Sequence, residues 1–142
     1  MPVTEDIVNC FLGRITAIDE MYFTGYNMRG SSDIEIKVLT LENGKRPFQD
    51  WYRSITDFRV RARIDARIMR IRAGNFGDAK NVGQGVSELR LDFGPGYRVY
   101  FARLGNIVVV LLGVGDKSSQ STDILEMQAL WERYRNAPDR FQ

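Results

Sequence analysis

The sequence predicts an α+β fold built as one domain. With 142 residues, 44% of them hydrophobic, the chain can bury one sizeable core and is short for two domains. Apolar residues alternate at positions 33–41, 86–93 and 97–101, as in half-buried strands, and other stretches have helical spacing. The predicted order is strand, two helices, short strand, three-stranded meander and helix, which is typical of an α+β protein.

Residues 1–32 are predicted to be an appended segment in front of a domain at residues 33–142. Four apolar residues recur at intervals of four, four and three, which suits a short helix: Ile7, Phe11, Ile15 and Ile18. Met21 and Met28 precede the first strand, so the alternative is a true start later than residue 1. Mass spectrometry of the natively expressed protein would decide between them.

Two helices are predicted after the first strand. Pro47 suits the first turn of one helix, Asp57 can cap the second, and Gly74 can end it. Because the link between the helices is short, they are expected to form an antiparallel hairpin laid on the sheet.

The strands after the hairpin are predicted to form a curved antiparallel sheet of three to four strands. Gly94-Pro95-Gly96 predicts a tight turn, which sets Asp92 opposite Arg98 and Arg90 opposite Tyr100. Strand alternation places Arg90, Arg98 and Tyr100 on one face, together with Glu88.

The end of the chain is predicted to supply a central strand and a helix. Residues 107–112 are apolar on both faces, as a central strand requires. The helix starts at about Thr122, and its spacing places Trp131 and Tyr134 on the buried side.

The composition excludes several classes of chemistry. Histidine is absent and Cys10 is the single cysteine, so an intramolecular disulfide is impossible, and so are histidine pairs and Ser-His-Asp triads. The usual zinc ligands are lacking, and neither a metal nor a cofactor is predicted. The longest apolar run, at 107–114, is far below the roughly 20 residues that span a bilayer. Without signal-peptide features either, a cytoplasmic protein with no membrane partner is expected.

Basic charge is concentrated in one part of the chain. Between Lys45 and Lys80 there are ten basic residues and four acidic ones, although the formal net charge is only +2. Such a block favours an anionic partner, either nucleic acid or an acidic protein segment. The alternative is an ordinary solvated helix face.

Five sequence blocks occur in a fixed order over residues 33–135. They are RARI at 61–64, GNFGDAK at 74–80, VGQGVSELR at 82–90, GPGYRVYF at 94–101 and GDKSSQ at 115–120. On these blocks the chain resembles the RelE/ParE toxin superfamily, in particular the HigB-like branch of addiction module killer proteins. Toxins of this type normally lack a counterpart of residues 1–32.

The resemblance implies the toxin of a type II toxin-antitoxin system, held inactive by a helix-turn-helix antitoxin encoded beside it. RelE-like and HigB-like members cleave messenger RNA on the ribosome, as mRNA interferases, whereas ParE-like members poison DNA gyrase. Similarity at this level leaves the two activities open. A third hypothesis is an inactive remnant or binding module whose residues 1–32 cover the active face.

The resemblance also implies a ribonuclease site that needs no metal. Arg98 matches the arginine that RelE-like toxins place at the scissile phosphate, and Lys117 matches a second basic residue. The alternatives are a cross-strand pair of Arg98 with Asp92 and a lysine that is merely solvated. Attack by a ribose 2′-hydroxyl requires stabilisation of added negative charge, which a guanidinium supplies.

The general base is predicted to be Glu88 or Asp123. RelE-like toxins carry a lysine pair and a C-terminal tyrosine, and here Arg90 replaces one lysine, Glu88 stands near the other, and Asp123 falls near the tyrosine. The alternatives are a salt bridge and a helix cap. Predicted RNA-binding residues are Lys80, Arg90, Tyr100, Arg63 and Arg67.

Overall fold

The chain forms a five-stranded mixed sheet with helices on both faces, in a computed structural model that describes residues 33–106 and 108–142. The strands are β1 (Glu35–Val38), β2 (Ala79–Gly83), β3 (Val86–Arg90), β4 (Arg98–Leu104) and β5 (Val108–Gly115). The predicted appended segment at 1–32, with its helix or alternative start, lies outside the described residues.

The sheet order is β1-β5-β4-β3-β2. Strands β2 to β5 are joined by antiparallel pairings, as predicted. These are the three to four antiparallel strands predicted after the hairpin. The sequence did not predict the place of β1, which joins the same sheet as a fifth strand parallel to β5, with Ile36 opposite Val109. The α+β class is confirmed.

The three helices are α1 (Pro47–Ser54), α2 (Phe58–Arg72) and α3 (Gln120–Tyr134). The predicted starts of the first two are confirmed, since Pro47 begins α1 and the Asp57 side chain accepts a hydrogen bond from the Arg59 backbone N–H at 2.9 Å. Short 3₁₀ turns, Lys117–Ser119 and Pro138–Arg140, flank α3. Among the described residues, none of the helices has the length and apolar character that crossing a membrane requires.

The sheet has a core on each face. On the first, called the helix-pair face, α1 and α2 pack over alternate strand residues such as Leu89, Val99 and Phe101. On the second, called the α3 face, Met127, Trp131 and Tyr134 pack over Val86, Tyr100, Ala102 and Leu112. The prediction that Trp131 and Tyr134 are buried is confirmed.

The connection between β3 and β4 is longer than the predicted three-residue turn. Residues 91–97 form the loop, so Arg90 lies opposite Arg98 and Glu88 lies opposite Tyr100. The predicted pairs were therefore wrong by two residues. The cause is packing within and around the loop, where the Tyr97 ring contacts Trp51 of α1 and Phe93, with centroids 5.2 and 6.1 Å away.

The last residues of the described chain close the exposed edge of β1. Val38 and Gln142 exchange backbone hydrogen bonds, with the Gln142 N–H 3.0 Å from the Val38 oxygen. Leu39 forms a β-bridge with Phe141, whose ring stacks on Trp131 at 5.8 Å. β1 is thus held between β5 on one side and the C-terminal residues on the other.

Two glycines in β5 let α3 approach the sheet closely. A Cβ on Gly115 would lie 2.7 Å from the Asp123 Cγ, and a Cβ on Gly113 would lie 2.9 Å from the Met127 Cε. The Met127 terminus can move away, but the short Asp123 side chain is held by the Ser119 hydroxyl.

We expect Gly115→Ala to lower the free energy of unfolding by about 1–3 kcal/mol, because the added methyl group overpacks the start of α3. Urea denaturation measures the change. Gly113→Ala is the matched control and should cost less, since only the flexible end of Met127 must shift. An equal loss of unfolding free energy in both variants would contradict the tighter contact between Gly115 and Asp123.

Candidate functional site

A buried carboxylate organises the polar side chains on the α3 face. Glu88 has no exposed surface, and its oxygens accept hydrogen bonds from Arg90 Nε at 3.2 Å, Arg98 Nη1 at 3.1 Å and Gln120 Nε2 at 2.8 Å. We call these four residues the Glu88 cluster. They come from β3, β4 and the first position of α3, so the cluster forms only when the sheet and helix meet.

The Glu88 cluster carries an excess positive charge. Two guanidinium groups share one carboxylate, and Arg98 contacts Glu88 through Nη1. Arg98 Nε is buried, with no hydrogen-bond partner among the described residues. The side chains of Arg90 and Arg98 are 41% and 11% exposed, so an anion can reach both from solvent, Arg90 more readily.

The geometry argues that Glu88 positions the arginines. A general base needs an oxygen that can approach the proton it takes. The oxygens of Glu88 are enclosed and bonded to cations and an amide, whereas the side chain of Asp123 is only half-buried. Of the two predicted bases, Asp123 therefore fits the role better.

Tyr100 places a phenol beneath the start of α3. The side chain is fully buried, and its hydroxyl has no hydrogen-bond partner among the described residues. Burial, followed by the nearby carboxylates of Asp123 and Glu88, raises the pKa of Tyr100 from 10.0 to about 12. The phenol thus keeps its proton at neutral pH and is suited to donate a hydrogen bond.

We expect the raised pKa of Tyr100 to appear as an alkaline loss of stability. Below pH 10 the contribution is fully present, and it is lost as the pH rises toward about 12, because the unfolded chain releases this proton first. Urea denaturation from pH 9 to 11.5 should show a shallower decline for Tyr100→Phe than for the wild type. Identical declines would contradict the assignment.

Asp123 lies in the first turn of α3 and accepts a hydrogen bond from the Ser119 hydroxyl. A negative charge at this position also interacts favourably with the helix dipole, which is the helix-cap alternative. Just upstream, Asp116 caps the 3₁₀ turn, and the Ser118 hydroxyl that bonds it lowers its pKa.

Lys117 stands at the same end of the sheet as Arg98. Arg98 pairs with Gly115, two residues before Lys117, and a Cβ on Gly96 would lie 3.4 Å from the Lys117 Cβ. The lysine is exposed. An anion bound at Arg98 therefore has a second cation within the same short stretch of surface.

The structure does not bring every predicted site residue together. Lys80 is exposed and pairs with Glu88 across β2 and β3, beside the Glu88 cluster. Arg63 and Arg67 belong to α2 on the helix-pair face, where Arg63 lies 5.4 Å from the Phe93 ring centroid and Arg67 donates to the Phe76 carbonyl at 3.3 Å. Burial lowers the pKa of Arg67. These two arginines form a separate surface.

Sequence reasoning missed Gln120 and Ser119. Both lie at the end of the GDKSSQ block that carried part of the resemblance, so the signal was present, but no spacing rule links residue 120 to residue 88. Only the packing of α3 shows that the Gln120 amide bonds both oxygens of Glu88. Among the described residues, no cluster of three or more carboxylate, thiol or imidazole groups could hold a metal ion.

A known protein similar to this chain comes from Haemophilus influenzae (strain ATCC 51907 / DSM 11121 / KW20 / Rd) and is described as an uncharacterized protein. It is 46% identical over 83 residues, which cover 58% of this chain and 84% of that protein. No protein-family model matches the chain, and no solved structure matches it. The relative therefore indicates kinship and no activity.

Proposed function

This chain belongs to the same family as the Haemophilus influenzae protein, and we propose that it is the toxin of a type II toxin-antitoxin pair that cleaves messenger RNA on the ribosome. The observation that carries the proposal is the Glu88 cluster. Three of the five blocks that resemble RelE/ParE toxins contribute to it, through Glu88 and Arg90, through Arg98, and through Gln120. Residues far apart in the sequence thus build one cationic site.

The reaction is attack of a ribose 2′-oxygen on the adjacent phosphorus. The new O2′–P bond forms as the P–O5′ bond breaks, giving a cyclic phosphate and a free 5′-hydroxyl. Arg98 is assigned to the phosphate oxygens, because a guanidinium offers a rigid fork and keeps its charge throughout. The contact from Glu88 to Nη1 holds that fork in place before the substrate arrives.

Two proton transfers complete the reaction. Asp123 is assigned as the base that takes the 2′-hydroxyl proton, and the Lys117 ammonium as the acid that gives a proton to the leaving 5′-oxygen. Tyr100 has no exposed surface, so its hydroxyl does not reach RNA as the sequence predicted, and Tyr100 is assigned to supporting the site from beneath α3. This division of roles needs neither a histidine nor a metal ion.

The proposed partners follow from the two cationic surfaces. Arg90 and Lys80 flank the Glu88 cluster and are assigned to the backbone of the messenger. Arg63 and Arg67 on the opposite face are assigned to the phosphate backbone of ribosomal RNA. Contacts between cations and phosphates do not depend on the base sequence. A helix-turn-helix antitoxin is the proposed inhibitor.

The test is cleavage by the purified full chain. We expect cut messenger when ribosomes are present and intact messenger when they are absent, with the cut ends mapped by primer extension. Intact messenger in both reactions, with gyrase trapped on DNA, would replace this proposal by the ParE-like one. A further comparison expresses the full chain and a chain starting at Met28 without antitoxin. If neither arrests growth, the protein is an inactive remnant.

A further inference from the structure

A second polar and aromatic site lies on the helix-pair face, away from the Glu88 cluster. It is an open cleft of about 140 Å³ at the edge formed by β2, β3 and β4. Its lining includes Phe76, Lys80, Asn81, Ser87, Phe101 and Arg103. We call it the Phe76 cleft.

The floor of the Phe76 cleft is aromatic. The rings of Phe76 and Phe101 stack with centroids 5.6 Å apart and an interplanar angle of 23°. The Arg103 guanidinium lies over the Phe76 ring, 4.7 Å from its centroid. Stacked rings beside a guanidinium are the surface on which proteins hold unstacked nucleobases.

The polar groups of the Phe76 cleft are mostly donors. Arg103 is an exposed cation, and the lining contains no carboxylate. Lys80 borders the cleft, but its pairing with Glu88 places its side chain on the opposite face. Asn81 Oδ1 already accepts a hydrogen bond from the Gly83 N–H at 2.7 Å, which leaves its amide nitrogen to donate. The Ser87 hydroxyl has no hydrogen-bond partner among the described residues. This lining complements an anionic ligand that carries a flat ring.

We propose that the Phe76 cleft binds one nucleotide of a single-stranded RNA, with the base against Phe76 and the phosphate at Arg103. The volume of about 140 Å³ suits a single base, while the sugar and phosphate remain at the open rim. The inference rests on this cleft alone, so it stands whether or not the chain is a nuclease.

The test is fluorescence anisotropy of a labelled hexaadenylate with the purified full chain and no ribosomes. We expect Arg103→Ala to weaken binding at least about tenfold, through loss of both the phosphate contact and the stacked guanidinium. Arg133→Ala is the matched control, because Arg133 is also exposed and lies over an aromatic ring, Tyr134, at 5.6 Å. It should bind as the wild type does.

Further variants and probes separate base, phosphate and protein recognition. Phe76→Leu keeps an apolar side chain but removes the ring, and its affinity for hexaadenylate should also fall about tenfold. Circular dichroism checks that this variant is folded. A hexamer of abasic ribose phosphates that binds as well as hexaadenylate would overturn the base contact. Unchanged binding by Arg103→Ala, or displacement of hexaadenylate by polyglutamate at equal concentration, would overturn the RNA site.

Discussion

Replacing Arg98 with lysine is expected to slow ribosome-dependent cleavage of messenger RNA by about 100-fold or more. Lysine keeps the positive charge but loses the rigid fork, which must reach the phosphate while Nη1 stays bonded to Glu88 at 3.1 Å. The loss should appear in the rate at saturating ribosome concentration, because the guanidinium contact strengthens as charge develops on the phosphate.

Arg133→Lys is the control for the effect of Arg98→Lys. Arg133 is exposed and pairs with Glu42 on the surface, at 2.8 Å, so its replacement should leave cleavage unchanged. Growth arrest on expression without antitoxin should follow the same pattern. Cleavage by Arg98→Lys at the wild-type rate would show that charge alone suffices, and the assigned role of the fork would be wrong.

Replacing Glu88 with glutamine is expected to lower the free energy of unfolding by about 3–5 kcal/mol, because it leaves the guanidinium groups of Arg90 and Arg98 without their buried carboxylate. The Glu88 carboxylate has no exposed surface. Water can therefore reach its position only if α3 separates from the sheet. Urea denaturation at pH 7 measures the change.

The comparison variant is Glu42→Gln, which removes the exposed carboxylate that pairs with Arg133. A surface pair of this kind contributes at most about 1 kcal/mol. The double variant Glu88→Gln with Arg98→Met should cost less than the sum of its single variants, because the two residues share one interaction. Strict additivity, or a loss for Glu88→Gln as small as for Glu42→Gln, would contradict the organising role of the carboxylate.

Strand faces could be predicted from the sequence, whereas the register could not. Arg98 was predicted opposite Asp92 and lies opposite Arg90. The two-residue error leaves the face unchanged because side chains alternate with a period of two. Two arginines opposite each other are unfavourable as a pair, and only the neighbouring Glu88 makes them compatible.

The alternation of side chains along a strand also allowed part of the site to be predicted. The face shared by Glu88, Arg90, Arg98 and Tyr100 follows from alternation, and Asp123 and Lys117 came from the resemblance. The burial of Glu88 depends on α3 covering it, and the bond from Gln120 spans 32 positions in the chain. The parallel pairing of β1 with β5 also joins segments that are far apart in the sequence. It could not be predicted because local patterns do not specify a strand's partner.

The position of β1 has a consequence for biosynthesis. Residues 35–38 are made early, but they pair with residues 108–111 of β5, and Val38 also exchanges hydrogen bonds with Gln142. Until Gln142 has emerged from the exit tunnel of the ribosome, that closing contact cannot form. Contacts between such distant segments form slowly. The outer edge of β1 therefore stays open during synthesis until residue 142 is available to cover it.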